Sequence, residues 1–313
     1  MKFLKRTGYF LLFLFILLNA IAAVHAWKFT HFYNDPHHKN KRPEQMSSSE
    51  KMQMILTGVK ISKSVDTDTP TVAHENVYLH TRDGERLRGW YLPVENAKGT
   101  VVLLHGYNSS KSDKLPEAYF FRAQGYNTLL IDFRAHGTSS GNACSIGFKE
   151  TEDLLQAYRF VENKDEKHIL LWGMSMGASV ILKGVPEYHL HPDKIMLEAP
   201  FATLVDAVKS RMRSVHIPPV PLAQMLTFWG SAEMGFWGFG YEPYRNAEDI
   251  TMPALLCWGQ LDNRVMQAET QLIYDHLGTS QKELVVFKQS GHQSYCRNEG
   301  EKWQGVMKAF LAR

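Results

Sequence analysis

A mostly parallel α/β sheet with helices on both faces is the fold class that this chain predicts. Three observations carry it. From residue 100 onward, short apolar runs alternate with stretches of helical period. Those runs are apolar throughout instead of every second residue, as strands covered on both faces require. A Gly-x-Ser-x-Gly, Gly173 to Gly177, stands between one such run and a helical stretch.

Met1 to Arg6 is basic and Tyr9 to Val24 is almost wholly apolar, the layout of an export signal or an N-terminal anchor. The run falls just short of the roughly 20 residues that span a bilayer comfortably. Val24-His25-Ala26 also fits a small-residue cleavage site. Residues 1–26 are therefore a signal peptide or membrane anchor, with the retained anchor favoured. Lys2, Lys5 and Arg6 would stay cytoplasmic and place the bulk of the chain on the far side. The alternative is a secreted or periplasmic protein cleaved near Ala26.

Residues 27–74 read as a polar spacer and lead-in. His31, Asp35, His37 and His38 fall there among Asn34, Lys39, Asn40 and Lys41, without ligand spacing, so no metal is expected. Residues 75–313 form the main domain. Asn76–Thr81 and Leu87–Leu92 flank Asp83-Gly84, a hairpin turn. Thr100–Leu104 is a buried strand, Glu117–Gln124 a helix stopped by Gly125, and Asn127–Asp132 a strand. Phe148–Glu162 has helical spacing. Ile169–Trp172 is the strand before the Gly-x-Ser-x-Gly, and Ala178–Gly184 the helix after it. Lys194–Leu197, Ala254–Trp258 and Glu283–Phe287 complete the strands; Gln267–Leu277 and Lys302–Leu311 the helices. Residues 201–250 interrupt the alternation with Met225, Phe228, Trp229, Met234, Phe236 and Tyr241. This insertion either packs on its own domain or caps an apolar site, and both can hold.

The chain has 313 residues, 44% of them hydrophobic, enough for a large core. Of 35 basic residues, three lie in the first 26, which hold no acid; the remainder balances the 32 acidic residues. That balance gives no footing for nucleic-acid binding. Cys144, Cys257 and Cys296 show no CxxC spacing. Cys257 reads as a buried strand residue, and a Cys144–Cys296 bridge would suit export without being required by the sequence.

In Gly173-Met174-Ser175-Met176-Gly177, Ser175 would sit on a sharp strand-to-helix turn with its hydroxyl thrust out, the nucleophile elbow. Residues two before and two after crowd it, so both favour glycine. Around the elbow stand Leu103-Leu104-His105-Gly106-Tyr107, Asp132-Phe133-Arg134-Ala135-His136-Gly137, Ala199-Pro200-Phe201, Trp258-Gly259-Gln260-Leu261-Asp262 and Ser290-Gly291-His292. With these stretches the chain resembles serine hydrolases of the α/β-hydrolase superfamily, from about Val77 to the end. Within it, the chain is similar to N-terminally anchored hydrolase-domain proteins and monoacylglycerol-lipase-like enzymes.

The resemblance implies an α/β-hydrolase fold with a helical cap over residues 201–250, and a Ser175, Asp262, His292 triad in the superfamily's order. Glu198, ending the preceding strand, is the alternative acid, its other role being a structural hydrogen bond. It also implies an oxyanion hole built from the Met176 and Tyr107 backbone amides. Ala135 departs from the glycine usual at that place of its turn. Arg134 should be tied to a carboxylate. The implied activity is carboxylic-ester hydrolysis without a cofactor, on a small-molecule or lipid ester such as an acyl glycerol or lysophospholipid. The rivals are a thioesterase, a peptidase and a non-catalytic binding protein on the same scaffold.

Overall fold

The computed structural model describes residues 2–35, 41, 46–214 and 216–313. Its strands are β1 (Glu75–His80), β2 (Arg86–Leu92), β3 (Thr100–Leu104), β4 (Asn127–Asp132), β5 (Ile169–Met174), β6 (Lys194–Glu198), β7 (Ala254–Gly259) and β8 (Lys282–Phe287). They form one sheet in the order β1-β2-β4-β3-β5-β6-β7-β8. The opening hairpin pairs antiparallel, and β2 pairs antiparallel with β4. Every later pairing is parallel. The continuous apolar runs explain this placement: β3, β4, β5 and β7 are buried along their whole length.

The helices are α1 (Lys2–Thr30), α2 (Ser48–Thr57), α3 (Leu115–Ala123), α4 (Glu150–Glu162), α5 (Met176–Glu187), α6 (Leu204–Ser214), α7 (Leu222–Glu233), α8 (Pro243–Asn246), α9 (Gln267–His276), α10 (Tyr295–Asn298) and α11 (Gly300–Leu311). Boundaries differ from the pattern by one to three residues where local chemistry decides. The helix expected from Glu117 starts at Leu115, since a proline in the first turn is preorganised for it.

Two stretches depart further. The N-terminal helix runs on to Thr30, past residue 26. Beyond it the chain lies against the domain: Phe32 N–H donates to Asn142 O at 2.7 Å, and Tyr33 bridges to Ser62. Within the expected polar spacer, Ser48–Thr57 is helical because Ser47 and Glu50 form a reciprocal capping box. His31 Nδ1 lies 2.9 Å from Thr30 Oγ1. His37 and His38 lie outside the described residues. Cys144 and Cys296 are free thiols, not a bridge. Cys144 is instead buried, its sulfur 3.8 Å from Met176 Sδ. Cys257 is buried in β7.

The insertion packs on the domain and also borders a cavity. Phe236 stacks on Phe148 at 4.1 Å between ring centroids, and Tyr241 meets Phe148 and Phe201 edge-on. Those rings anchor it to the domain, while α6 and α7 face a cavity described below.

Candidate active site

Parallel strands present their C-terminal ends at one sheet edge, and loops leaving that edge converge. β3 ends into His105, β5 into Ser175, β7 into Asp262, and β8 into His292. Ser175 Oγ lies 2.9 Å from His292 Nε2. His292 Nδ1 lies 2.8 Å from Asp262 Oδ2. Asp262 is held in turn: its Oδ1 accepts from the Arg264 and Val265 amides at 2.7 and 3.0 Å. An ionised carboxylate can only accept. Nδ1 therefore carries the proton, and Nε2 is left to accept from the serine hydroxyl. A hydroxyl so paired is activated by its neighbouring base.

The elbow shows why glycine flanks it. A Cβ on Gly173 would lie 2.6 Å from the Gly177 carbonyl carbon, and one on Gly177 would lie 2.3 Å from Leu104 O. Ser175 itself has φ 53°, a left-handed conformation that costs an L-residue roughly 1–2 kcal/mol. Gly259 has the same kind of reason. A Cβ there would lie 2.4 Å from Ser290 O, so its absence lets the Asp262 and His292 loops touch.

Met176 opens α5, where backbone N–H groups lack intrahelical acceptors and the helix dipole is positive. Gly106 sits so that a Cβ on it would be 3.4 Å from Ser175 Cβ. The following residue, Tyr107, joins Ser175, Met176 and His292 around a pocket of about 40 Å³.

The Gly106 loop is held by two buried imidazoles. His105 Nε2 accepts the Phe133 amide at 3.1 Å, and its Nδ1–H reaches Gly106 O at 2.7 Å. His136 Nε2 accepts the Asn108 amide at 3.1 Å, and its Nδ1–H reaches Arg134 O at 2.8 Å. Each ring needs one bare nitrogen, so protonation breaks a bond. Burial pushes His105 down to about 4; burial, and then His105 beside it, pushes His136 down to about 3. The unfolded chain binds these protons from about pH 6.5 downward. The stability owed to neutral His136 is thus present above 6.5 and lost as pH falls toward 3. In thermal unfolding across pH, the gap between wild type and His136→Gln should narrow below 6.5, by up to about 1.4 kcal/mol per pH unit. A gap constant from pH 7 to 4 would contradict the neutral ring.

Arg134 binds Asp153 and Asp83, at 2.7 and 2.5 Å, and so faces carboxylates. Ala135 stands at φ 63°, which is why glycine suits that position. Glu198 is fully buried. Its Oε1 accepts from the indole N–H of Trp172 at 3.1 Å and of Trp303 at 2.5 Å. Its carbonyl accepts the Ser175 amide at 2.7 Å. Burial pushes its carboxyl up to about 8.

Ser175 and His292 open on a cavity of about 1230 Å³. Met212, Leu226 and Met234 of the insertion line it, and so do Ile21, Ala22 and Phe29 of α1. The α1 contribution was not legible, because an apolar N-terminal run reads as leader or anchor whatever it later packs against. α1 is also the one helix among the described residues long and apolar enough to cross a membrane. No cluster of three or more His, Cys, Asp or Glu side chains able to hold a metal occurs among them.

A family model described as serine aminopeptidase, S33, matches residues 95–230. The esterase Pf2001 of Pyrococcus furiosus is similar in structure, with TM-score 0.67 and 26% identity over 80% of this chain and 98% of its own. An esterase of Exiguobacterium antarcticum, TM-score 0.57 at 17% identity, covers 76% of this chain and 100% of its own, and speaks for the fold alone. The uncharacterized protein YqkD of Bacillus subtilis (strain 168) is 25% identical over 69% of this chain and 72% of its own length.

Proposed function

We propose that this chain, a serine hydrolase on an α/β-hydrolase fold, cleaves carboxylic esters with a long apolar acyl chain, such as acyl glycerols or lysophospholipids. The carrying observation is that Ser175 and His292 stand on a large cavity whose walls include Met212, Leu226 and Met234. Burying an acyl chain there gains about 0.8 kcal/mol per methylene.

Ser175 Oγ attacks the ester carbonyl as His292 Nε2 takes its proton, and the Asp262 carboxylate stabilises the imidazolium. The amides of Met176 and Tyr107 receive the developing oxyanion, each worth about 10²–10³ in rate. His292 then protonates the leaving alcohol. Water, deprotonated by His292, releases the acid from Ser175. The residues proposed for this work are Ser175, Asp262 and His292, with α1 holding the enzyme at a membrane.

Hydrolysis of p-nitrophenyl esters from acetate to dodecanoate by the purified full-length protein tests this. Catalytic efficiency should rise with chain length up to at least eight to ten carbons, on the order of tenfold or more overall. A peak at acetate would defeat the lipid-ester reading. The description of the matched family model favours one second reading, aminopeptidase action. Aminoacyl p-nitroanilides turned over faster than any ester would select it.

A further inference from the structure

We infer that α1 is a working wall of the active site, retained in the mature protein, and that it admits the acyl chain of a bilayer lipid sideways into the cavity. This rests on the ester-hydrolase reading above. Leu18, Ile21, Ala22, Ala26 and Phe29 line the same cavity as Ser175. They recur at the three- and four-residue spacing of one helix face. The face therefore borders the cavity along about three turns, with Ala22 and Ala26 buried and Leu18 and Ile21 still partly open, which an anchor serving only as a tether does not require.

Fixed contacts hold α1 there. Trp229 Nε1–H of α7 donates to Asn19 Oδ1 at 3.0 Å. A Cβ on Gly230 would lie 3.6 Å from both Ala26 Cβ and Thr30 Cγ2, so small residues bring the two helices close. Ala22 and Ala26 are buried in that contact region. Phe29 stacks on Tyr107 at 5.3 Å, and the Tyr107 phenol donates to Phe29 O. The helix thus ends on a residue proposed for the oxyanion hole.

Depth gives the direction of entry. The uncharged apolar run Tyr9 to Leu18 is exposed, a length of about 15 Å at 1.5 Å per residue. A hydrocarbon core of about 30 Å needs roughly ten residues more. Those run from Asn19 to about Lys28, and Ile21, Ala22 and Ala26 among them line the cavity. α7, which packs on α1, carries exposed Phe228 and Leu222, and α2, whose C-terminal end meets Lys28, carries exposed Met52, Ile55 and Leu56. Such faces settle into the interfacial layer. The apolar end of the cavity then opens at acyl-chain depth, and a chain enters without crossing water. Removal of residues 1–26 would strip this wall and bare the α7 side that covers Asn19 and Ala26.

The test uses the full-length enzyme in phosphatidylcholine vesicles, with p-nitrophenyl butyrate and dodecanoate as probes. Ile21→Trp enlarges a side chain that lines the cavity. The ratio of kcat/KM for dodecanoate to that for butyrate should fall at least about tenfold. A ratio unchanged or raised overturns the wall. Leu18→Trp serves in its place if Ile21→Trp does not accumulate. Intact mass of the membrane-extracted protein gives an independent reading: a chain starting at Met1 or Lys2 supports the inference, and one starting at Trp27 overturns it. A fluorophosphonate probe separates the two levels. Wild type that does not label removes the hydrolase reading itself, whereas labelling with an unchanged ratio removes only the wall.

Discussion

Replacing Ser175 with alanine is expected to lower kcat on p-nitrophenyl butyrate by about 10⁵–10⁶-fold while leaving the protein folded. The two halves of that expectation come from different observations. The hydroxyl is held 2.9 Å from the imidazole, so its loss removes the atom proposed to attack. The fold survives because Ser175 is partly exposed and its side chain caps no amide of α5. Alanine meets the same left-handed backbone cost at φ 53° that serine already bears. Far-ultraviolet circular dichroism should therefore match wild type, and the melting temperature should move by only a few degrees. His292→Ala should cost nearly as much, and the double variant little more than either single one, because the residues act as one unit. Independent, multiplying losses would mean that the serine and histidine do not work together.

The sequence showed the sheet and the elbow for one reason: both are dictated locally. The short all-apolar run Ile169–Trp172, stopped by Gly173, reads as a two-sided buried strand, and Gly173 and Gly177 are needed because neighbouring backbone lies within 3 Å of any Cβ placed there. The meeting of Ser175, Asp262 and His292 follows from parallel topology, which brings distant strand ends to one edge. What was hidden depended on partners. Tyr9–Val24 has the composition of any leader, and nothing in it announces that Ala22 and Ala26 will pack against α7. The α2 helix was masked by a polar, serine-rich composition, although Ser47 and Glu50 carry its start signal. Cys144 and Cys296 could be placed together or apart only by tertiary structure.

Asp262→Asn and Glu198→Gln should separate by several powers of ten, which makes the pair the sharpest test of the acid. Asparagine keeps the shape of Asp262 and can still accept from the Arg264 and Val265 amides. Its amide nitrogen, however, would face His292 Nδ1, where the carboxylate oxygen now stands at 2.8 Å. Two donors cannot share that line, so the ring takes the other tautomer and Nε2 carries the proton. It then cannot accept from Ser175, and kcat should fall about 10⁴-fold. Glu198 presents the opposite case. Its carboxyl is pushed up to about 8 by burial, so near neutral pH it is mostly protonated, and glutamine is its neutral counterpart. The glutamine carbonyl can accept from Trp172 and Trp303 as Oε1 does now. Activity at pH 7 should stay within about threefold of wild type. Stability carries a second signature. The unfolded carboxyl ionises near 4.5, so wild type loses stability as pH rises from there toward 8, and the glutamine variant escapes that loss. Glu198→Gln should gain on wild type between pH 5 and pH 8 in thermal unfolding. Turnover abolished by Glu198→Gln and spared by Asp262→Asn would transfer the orienting role to Glu198.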